Sequence, residues 1–255
     1  MLIEINVMTR ENSNIRERFP KVIPSLSPSE QIVCDDFMKT WHVELKKRRR
    51  YDLLERFNHG FSVNSKHLKK LREKKSQIKT IELGCGLGTH IKFEDLSFQE
   101  YYAVELRDNM ISSIKESFPE VIAIQGDIQG KLGFSDNFFD RCVVVHVLEH
   151  LPNLPACIDE VHRLLSKKTG IFQAVLPCDP GLFYEFCRSI SARRLFEKKY
   201  NMNYDVFIKR EHINSPSEIL GIIEEKFEIV EKKFFPNVLP FTDINLCIGV
   251  TAIKR

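Results

Sequence analysis

Three glycines, at positions 84, 86 and 88, follow a short apolar run in the segment TIELGCGLGT (80–89). Without Cβ atoms the backbone there can take positive φ and lie directly against a ligand. The pattern predicts a helix beyond the turn whose free N–H groups face the same ligand. Two carboxylates sharpen the chemistry. Glu105 ends the next apolar run, where it can accept both hydroxyls of a ribose. Glu82 precedes the turn and would repel a pyrophosphate. The dinucleotide pattern G-x-G-x-x-G also fails, because Thr89 stands where Gly or Ala is required. A carboxylate at 82 suits a ligand with a positive end, such as an ammonium or a sulfonium.

A second cluster lies at 146–150. His146, Glu149 and His150 read as H-x-x-E-H, a zinc-peptidase pattern, and two such histidines on a helix can share a metal. Leu151 and Pro152 cut any helix short, and no third ligand is evident from spacing, so no metal is expected. His212, in KREHINSP, is a further isolated histidine beside Arg210 and Glu211.

The elements that must position these groups are legible in part. Ser27 and Glu30 form a capping box around Pro28, and Ile32, Val33, Phe37, Met38, Trp41 and Leu45 continue one helical stripe. Leu53, Leu54 and Phe57 extend it, and Asn58, His59 and Gly60 stop it. One long helix or two short ones are expected over 28–57. From residue 78 short apolar runs (78–83, 101–106, 121–125, 140–145, 170–176) alternate with helical stretches (109–118, 154–167). This is the rhythm of a parallel sheet with helices on both faces, an α/β fold. Runs at 227–235 and 246–253 have only a Pro-containing link between them and predict an antiparallel pair at one sheet edge. Residues 178–213, rich in aromatics and Arg/Lys, interrupt the alternation and read as a lid of two short helices. The chain thus divides into a flexible lead-in (1–26), a basic helical extension (27–77) and a sheet domain carrying the lid (78–255).

Composition narrows the class. A chain of 255 residues with 43% hydrophobic content folds as one or two globular domains. The longest apolar runs have four residues, far short of a membrane span of about 20. The opening MLIEINVMTRENSN has no secretory pattern. Seven cysteines without a C-x-x-C point to free thiols and a cytoplasmic location. Net charge is only +3, yet residues 46–75 carry twelve Lys/Arg against three Asp/Glu. Such a segment suits a solvated helix face or an anionic partner such as RNA.

The motif ELGCGLG (82–88) resembles motif I of the class I S-adenosylmethionine-dependent methyltransferases. Glu105 in VELRDNMI, the stretch Gly126-Asp127-Ile128, and His146 to Asn153 after the fourth run resemble the later motifs in the right order. The likeness is to the methyltransferase-11 type, acting on small molecules or glycans. It implies a Rossmann-like sheet of seven strands with the last antiparallel, and S-adenosylmethionine as cofactor with S-adenosylhomocysteine as product. It also implies that Glu82 and the turn, with Gly84, Cys85, Gly86 and Gly88, hold the methionine end. Glu105 would hold the ribose, Leu106 flank the adenine, Asp127 accept from the adenine amine and Ile128 pack on its ring. His146 would border the methyl group. One departure is the stretch HIKFEDLSFQE (90–100), a weak helix former where the first crossover helix belongs.

Methyl transfer from a sulfonium needs alignment and, for an oxygen or amine nucleophile, a proton acceptor. His146 and His212 are the first candidates for catalysis, with Glu149 and His150 behind them. The lid residues Phe183, Tyr184, Tyr200, Tyr204, Phe207, Arg188, Arg193, Arg194 and Arg210 are expected to grip a polar, ring-shaped or anionic acceptor. O-methylation of a small metabolite, sugar nucleotide or glycan is the expected reaction. RNA methylation through the basic segment, or a cofactor-binding protein without turnover, are the alternatives.

Overall fold

The computed structural model describes residues 15–40 and 52–255. Its strands are β1 (Ile78–Leu83), β2 (Gln99–Glu105), β3 (Ile122–Gln125), β4 (Arg141–Val145), β5 (Ile171–Pro177), β6 (Phe227–Phe235) and β7 (Cys247–Lys254). They form one sheet in the order β3-β2-β1-β4-β5-β7-β6. The pairings β2–β3, β1–β2, β1–β4 and β4–β5 are parallel, whereas β7 runs antiparallel to both β5 and β6. The seven strands and the reversed last one are as expected, and β6 holds the edge.

The two-residue period of a strand sorts side chains onto two faces. One face carries Ile81, Leu83, Tyr102, Val104, Cys142, Val144, Phe172, Ala174, Leu176, Ile248 and Val250, all buried in the main core. Two helices cover it. Leu154, Ile158, Val161 and Leu164 come from α5 (Leu154–Leu164), and Ile219, Ile222 and Ile223 from α9 (Pro216–Lys226). The other face is largely polar in the middle. Thr80, Glu82, Arg141, Gln173 and Thr251 are all buried there. It is covered by α2 (Asp52–Val63), α3 (Lys66–Lys74) and α4 (Asp108–Ser117), through Phe61, through Leu68 with Leu71, and through Ile111 with Ile114.

The helix expected after the glycine turn is absent. Between β1 and β2 the chain makes only turns, with single 3-10 turns at Ile91–Phe93 and Leu96–Phe98. The stretch 90–100 offers one buried apolar anchor early on, Ile91, and no helical stripe. A charged cluster fills the space instead. Glu94 pairs with Arg141 at 2.9 Å and with His90 at 2.7 Å, all three being buried. His59 of α2 reaches His90 at 3.2 Å, and Arg141 Nε donates to Gln173 at 2.7 Å.

The N-terminal extension departs from its sequence reading in three ways. Residues 15–21, read as part of a loose lead-in, are tied to the sheet domain. Ile15 is buried, Arg16 pairs bidentately with Asp159 at 2.9 Å, and Lys21 reaches Glu218 at 2.8 Å. Next, α1 (Pro28–Thr40) begins at the expected capping box but leaves Ile32 70% exposed. Its buried residues, Cys34 and Phe37, pack on the lid far along the chain. Finally, α2 runs through Asn58, His59 and Gly60 to Val63. Phe61 explains the continuation, because its ring fills the space that a side chain at Gly249 of β7 would need. Trp41, Leu45 and the cluster KKRRR (46–50) lie outside the described residues, and so does the link between α1 and α2.

The lid holds more helix than expected. A continuous run comprises α6 (Leu182–Arg188), a π turn (Ser189–Arg193) and α7 (Arg194–Tyr200), and α8 (Asp205–Glu211) follows. No helix among the described residues is long and apolar enough to cross a membrane.

Candidate active site

The turn after β1 follows from its glycines. Gly84, Gly86 and Gly88 have φ of 72°, 55° and 75°, values that L side chains rarely adopt. At Gly84 a Cβ would lie 2.5 Å from Val147, so the loop after β4 packs flush on the turn. At Gly86 a Cβ would meet nothing within 4 Å, which leaves an open cradle over the backbone.

Two carboxylates stand beside this cradle. Glu105 Oε2 accepts from the Gly86 amide at 3.1 Å, and Oε1 accepts from Arg107 Nε at 2.9 Å. Burial disfavours its charge, yet Arg107 and the Gly86 amide outweigh that and hold it below the usual carboxylate range. It is an ionised acceptor already engaged by Arg107. Glu82 lies deeper, 3% exposed, and accepts from the Tyr101 hydroxyl at 2.9 Å. Burial pushes its carboxyl up to about 8, and Tyr101 opposes this only in part. Cys85 is buried, and its thiol is raised by burial and by Glu82.

Leu106 is 62% exposed at the end of β2, open to a flat ring. Asp127 is exposed after β3, where Oδ1 accepts from the Gln129 amide at 2.9 Å. Ile128 is buried in the main core, so its side chain belongs first to the sheet packing and not to an open ring platform.

Beyond the carboxyl ends of β4 and β5 a polar cluster gathers. His146 has a φ of 53° and leads into a 3-10 turn, Leu148–His150. Its Nδ1 lies 3.4 Å from Glu149 and its Nε2 3.8 Å from Cys247 Sγ. Glu149 is 1% exposed. Burial opposes its charge, but His150, His146 and His212 around it hold its carboxyl down to about 2. One of its oxygens, Oε2, has no hydrogen-bond partner. His150 meets the backbone carbonyl of Glu211 through Nδ1.

The lid brings in His212. The amides of Ile213 and Asn214 donate to the Glu149 carbonyl at 2.9 and 3.1 Å. The Asn214 side chain donates to the carbonyls of Leu148 and Leu151, each at 2.8 Å. His212 Nδ1 lies 2.6 Å from Asp179, just past β5, and Asp179 also pairs with Arg188 at 2.6 Å. His146 and His212, the two foremost candidates, thus share one cluster with Glu149 and His150. Motif spacing does not reveal Asp179 or Asn214. The position of Asp179 at a strand's carboxyl end is the signal that could have found it.

Most of the expected acceptor-gripping side chains are occupied elsewhere. Tyr204 and Phe207 are buried around Phe37 of α1, and Arg193 lies 2.9 Å from Asp205. Arg210 donates to the Pro24 carbonyl, and Arg188 holds Asp179. Tyr184 does remain at the cluster, its ring 6.1 Å from that of His212. An intramolecular core and its ion pairs used these residues first.

Sheet order, the positive-φ glycine turn and a ribose-competent carboxylate after β2 together define a class I methyltransferase fold. Residues 81–172 match the family model described as a methyltransferase domain. The whole fold is similar to an S-adenosylmethionine-dependent methyltransferase from Clostridium acetobutylicum, at 12% identity and TM-score 0.59 over 86% of this chain and 98% of that one. A TehB-like methyltransferase from Corynebacterium glutamicum aligns with TM-score 0.54 and 14% identity over 88% and 100%. An S-adenosylmethionine-dependent methyltransferase from Aquifex aeolicus gives 0.53 and 14% over 87% and 98%. At these identities the likeness is one of fold. No curated protein matches the sequence. Residues 81–172 are thus similar to a methyltransferase domain, and the chain has the fold of S-adenosylmethionine-dependent methyltransferases. The cradle at Gly86, the acceptor at Glu105 and the buried carboxyl at Glu82 fit that cofactor's backbone, ribose and cationic end.

Proposed function

We propose that the chain methylates an oxygen on a small polar acceptor, namely a metabolite, sugar nucleotide or glycan. One observation carries this reading: His146, Glu149, His150, His212 and Asp179 converge next to the glycine turn, beneath the lid. The cofactor supplies a methyl group already activated by positive charge. The protein's own task is to align the acceptor and take its proton. Glu82 and the 84–88 turn hold the methionine end, Glu105 the ribose, and Leu106 with Asp127 the adenine. His146, in its strained backbone conformation at the end of β4, takes the proton. His212 is fixed through Nδ1 by Asp179, which leaves Nε2 available within the cluster.

The alternative of RNA methylation draws on the basic segment. In its described part, α3 packs through Leu68 and Leu71 on Ile78 and Ile171, which begin β1 and β5. Its lysines therefore lie about one strand length from the cluster beyond the opposite strand ends, which weighs against an RNA-presenting arm. With seven free cysteines, a reducing compartment such as the cytoplasm is the proposed location. The test is methyl transfer from labelled cofactor into fractionated metabolites and glycans, with total RNA in parallel. Label in a hydroxyl-bearing small acceptor is expected, abolished by His146→Ala; label confined to RNA overturns the proposal.

A further inference from the structure

The sequence pattern at 146–150 lacked a third metal ligand, and the fold supplies one. Glu149, His150 and His212 each offer a ligand atom, and these atoms all lie within 4.8 Å of one another. His150 Nε2 and Glu149 Oε1 are 3.7 Å apart. Two ligands about 2.1 Å from one tetrahedral ion sit roughly 3.4 Å apart, so a small closure completes the shell.

Three features mark this as a built site and not a chance cluster. Both histidines use Nδ1 for a second partner, the Glu211 carbonyl for His150 and the Asp179 carboxylate for His212. That arrangement fixes the proton on Nδ1 and leaves Nε2 as the lone-pair donor, as in established histidine–metal sites. Next, Glu149 Oε2 is buried without a hydrogen-bond partner, although its carboxylate is 1% exposed. A desolvated, unpaired anionic oxygen is costly unless a cation meets it. Third, the Ile213 and Asn214 amides and the Asn214 side chain staple the lid to the 148–151 turn, holding His212 against Glu149 and His150.

We infer that Glu149, His150 and His212 bind one divalent first-row transition-metal ion, with an open position for the acceptor oxygen. Two imidazoles and a carboxylate suit zinc, cobalt, manganese or iron; magnesium and calcium prefer all-oxygen sets. This inference rests on the methyl-transfer reading and refines it. The ion polarises the acceptor hydroxyl, whose proton passes to His146. The oxygen forms its bond to the methyl carbon while the carbon–sulfur bond breaks. That electron pair stays on sulfur, which becomes a neutral thioether.

The test uses the full chain, stripped with chelator and titrated with cobalt(II) while its visible absorption is followed. One cobalt per chain is expected. His150→Ala, His212→Ala and Glu149→Gln should each abolish the spectrum, and His162→Ala should leave it intact. Asp179→Asn should weaken binding roughly 10–100-fold, as loss of an outer-shell partner does. Cofactor binding by calorimetry reports whether each variant is folded. Should a variant fail that control, X-ray absorption of the zinc-loaded wild type still counts its imidazoles, and two are expected. No site-specific spectrum, binding undiminished by both histidine variants, or a thiolate in the shell overturns the inference. Undiminished methyl transfer in excess chelator also overturns it, while leaving the methyltransferase reading intact. Stoichiometric metal without transfer to any hydroxyl would instead keep the ion site and overturn its role in O-methylation.

Discussion

Glu82, proposed to meet the cationic end of the cofactor, is buried, and burial holds its carboxyl up to about 8. In the free chain it is largely protonated at neutral pH. Its contribution to folding is full below the unfolded value of about 4.3 and fades as pH rises through 8. A cationic partner needs the ionised form, so binding expels a proton below pH 8 and the sign reverses. Affinity for S-adenosylmethionine is expected to weaken by up to about tenfold per unit as pH falls from 8 to 6. Glu82→Gln is expected to flatten the profile. Calorimetric titration across that range decides it, and a wild-type curve as flat as the variant's would remove Glu82 from the cofactor site. The turn beside it makes a second contrast of residues. Gly84 is required by Val147, whose methyl would sit 2.5 Å from a Cβ, whereas Gly86 faces open space.

Among the elements, α1 and the lid depend on each other. Phe37 is fully buried, with edge contacts to Phe196 and Phe207 at 5.0 Å and to Tyr204 at 6.0 Å. Truncating a buried phenylalanine costs about 3–5 kcal/mol. Phe37→Ala is expected to raise hydrogen exchange across 182–211 and to lower kcat/KM, with cofactor affinity changed less than about threefold because the glycine turn lies on other elements. Unchanged exchange in the lid would show that α1 is not its support. This dependence was illegible in the sequence. Ile32, Val33, Phe37 and Met38 announce an apolar stripe, but a stripe does not name its partner. Here the partner lies about 160 residues away, and only Cys34 and Phe37 meet it fully.

At the scale of the molecule, the two faces of the sheet divide the work. One face is an ordinary apolar core. The other holds Arg141 and Glu94 out of solvent where a crossover helix is absent. Burial opposes the Glu94 carboxylate, but Arg141 and His90 outweigh it and hold its titration well below the ordinary range. Its stabilisation is therefore present above the unfolded value of about 4.3 and is lost as pH falls below it. Denaturant unfolding is expected to show a steep loss between about pH 5 and 3. Glu94→Gln should start about 3–5 kcal/mol less stable at pH 7, since it strands Arg141, and respond less to acid. Equal acid sensitivity in both chains would place the titrating group elsewhere.

The sequence alone determined the strand pattern, the reversed final strand, the glycine turn and the carboxylate after β2. These are written in local periodicity and in backbone freedoms that only glycine has, so neighbours a few residues apart suffice to read them. Tertiary structure decided what depends on distant partners. It replaced the first crossover helix with a buried ion cluster, spent the lid's aromatic residues on α1, and brought His212 and Asp179 to Glu149 and His150. Each is a contact between groups tens of residues apart, whose choice of neighbour is fixed by packing and charge compensation and leaves no period along the chain.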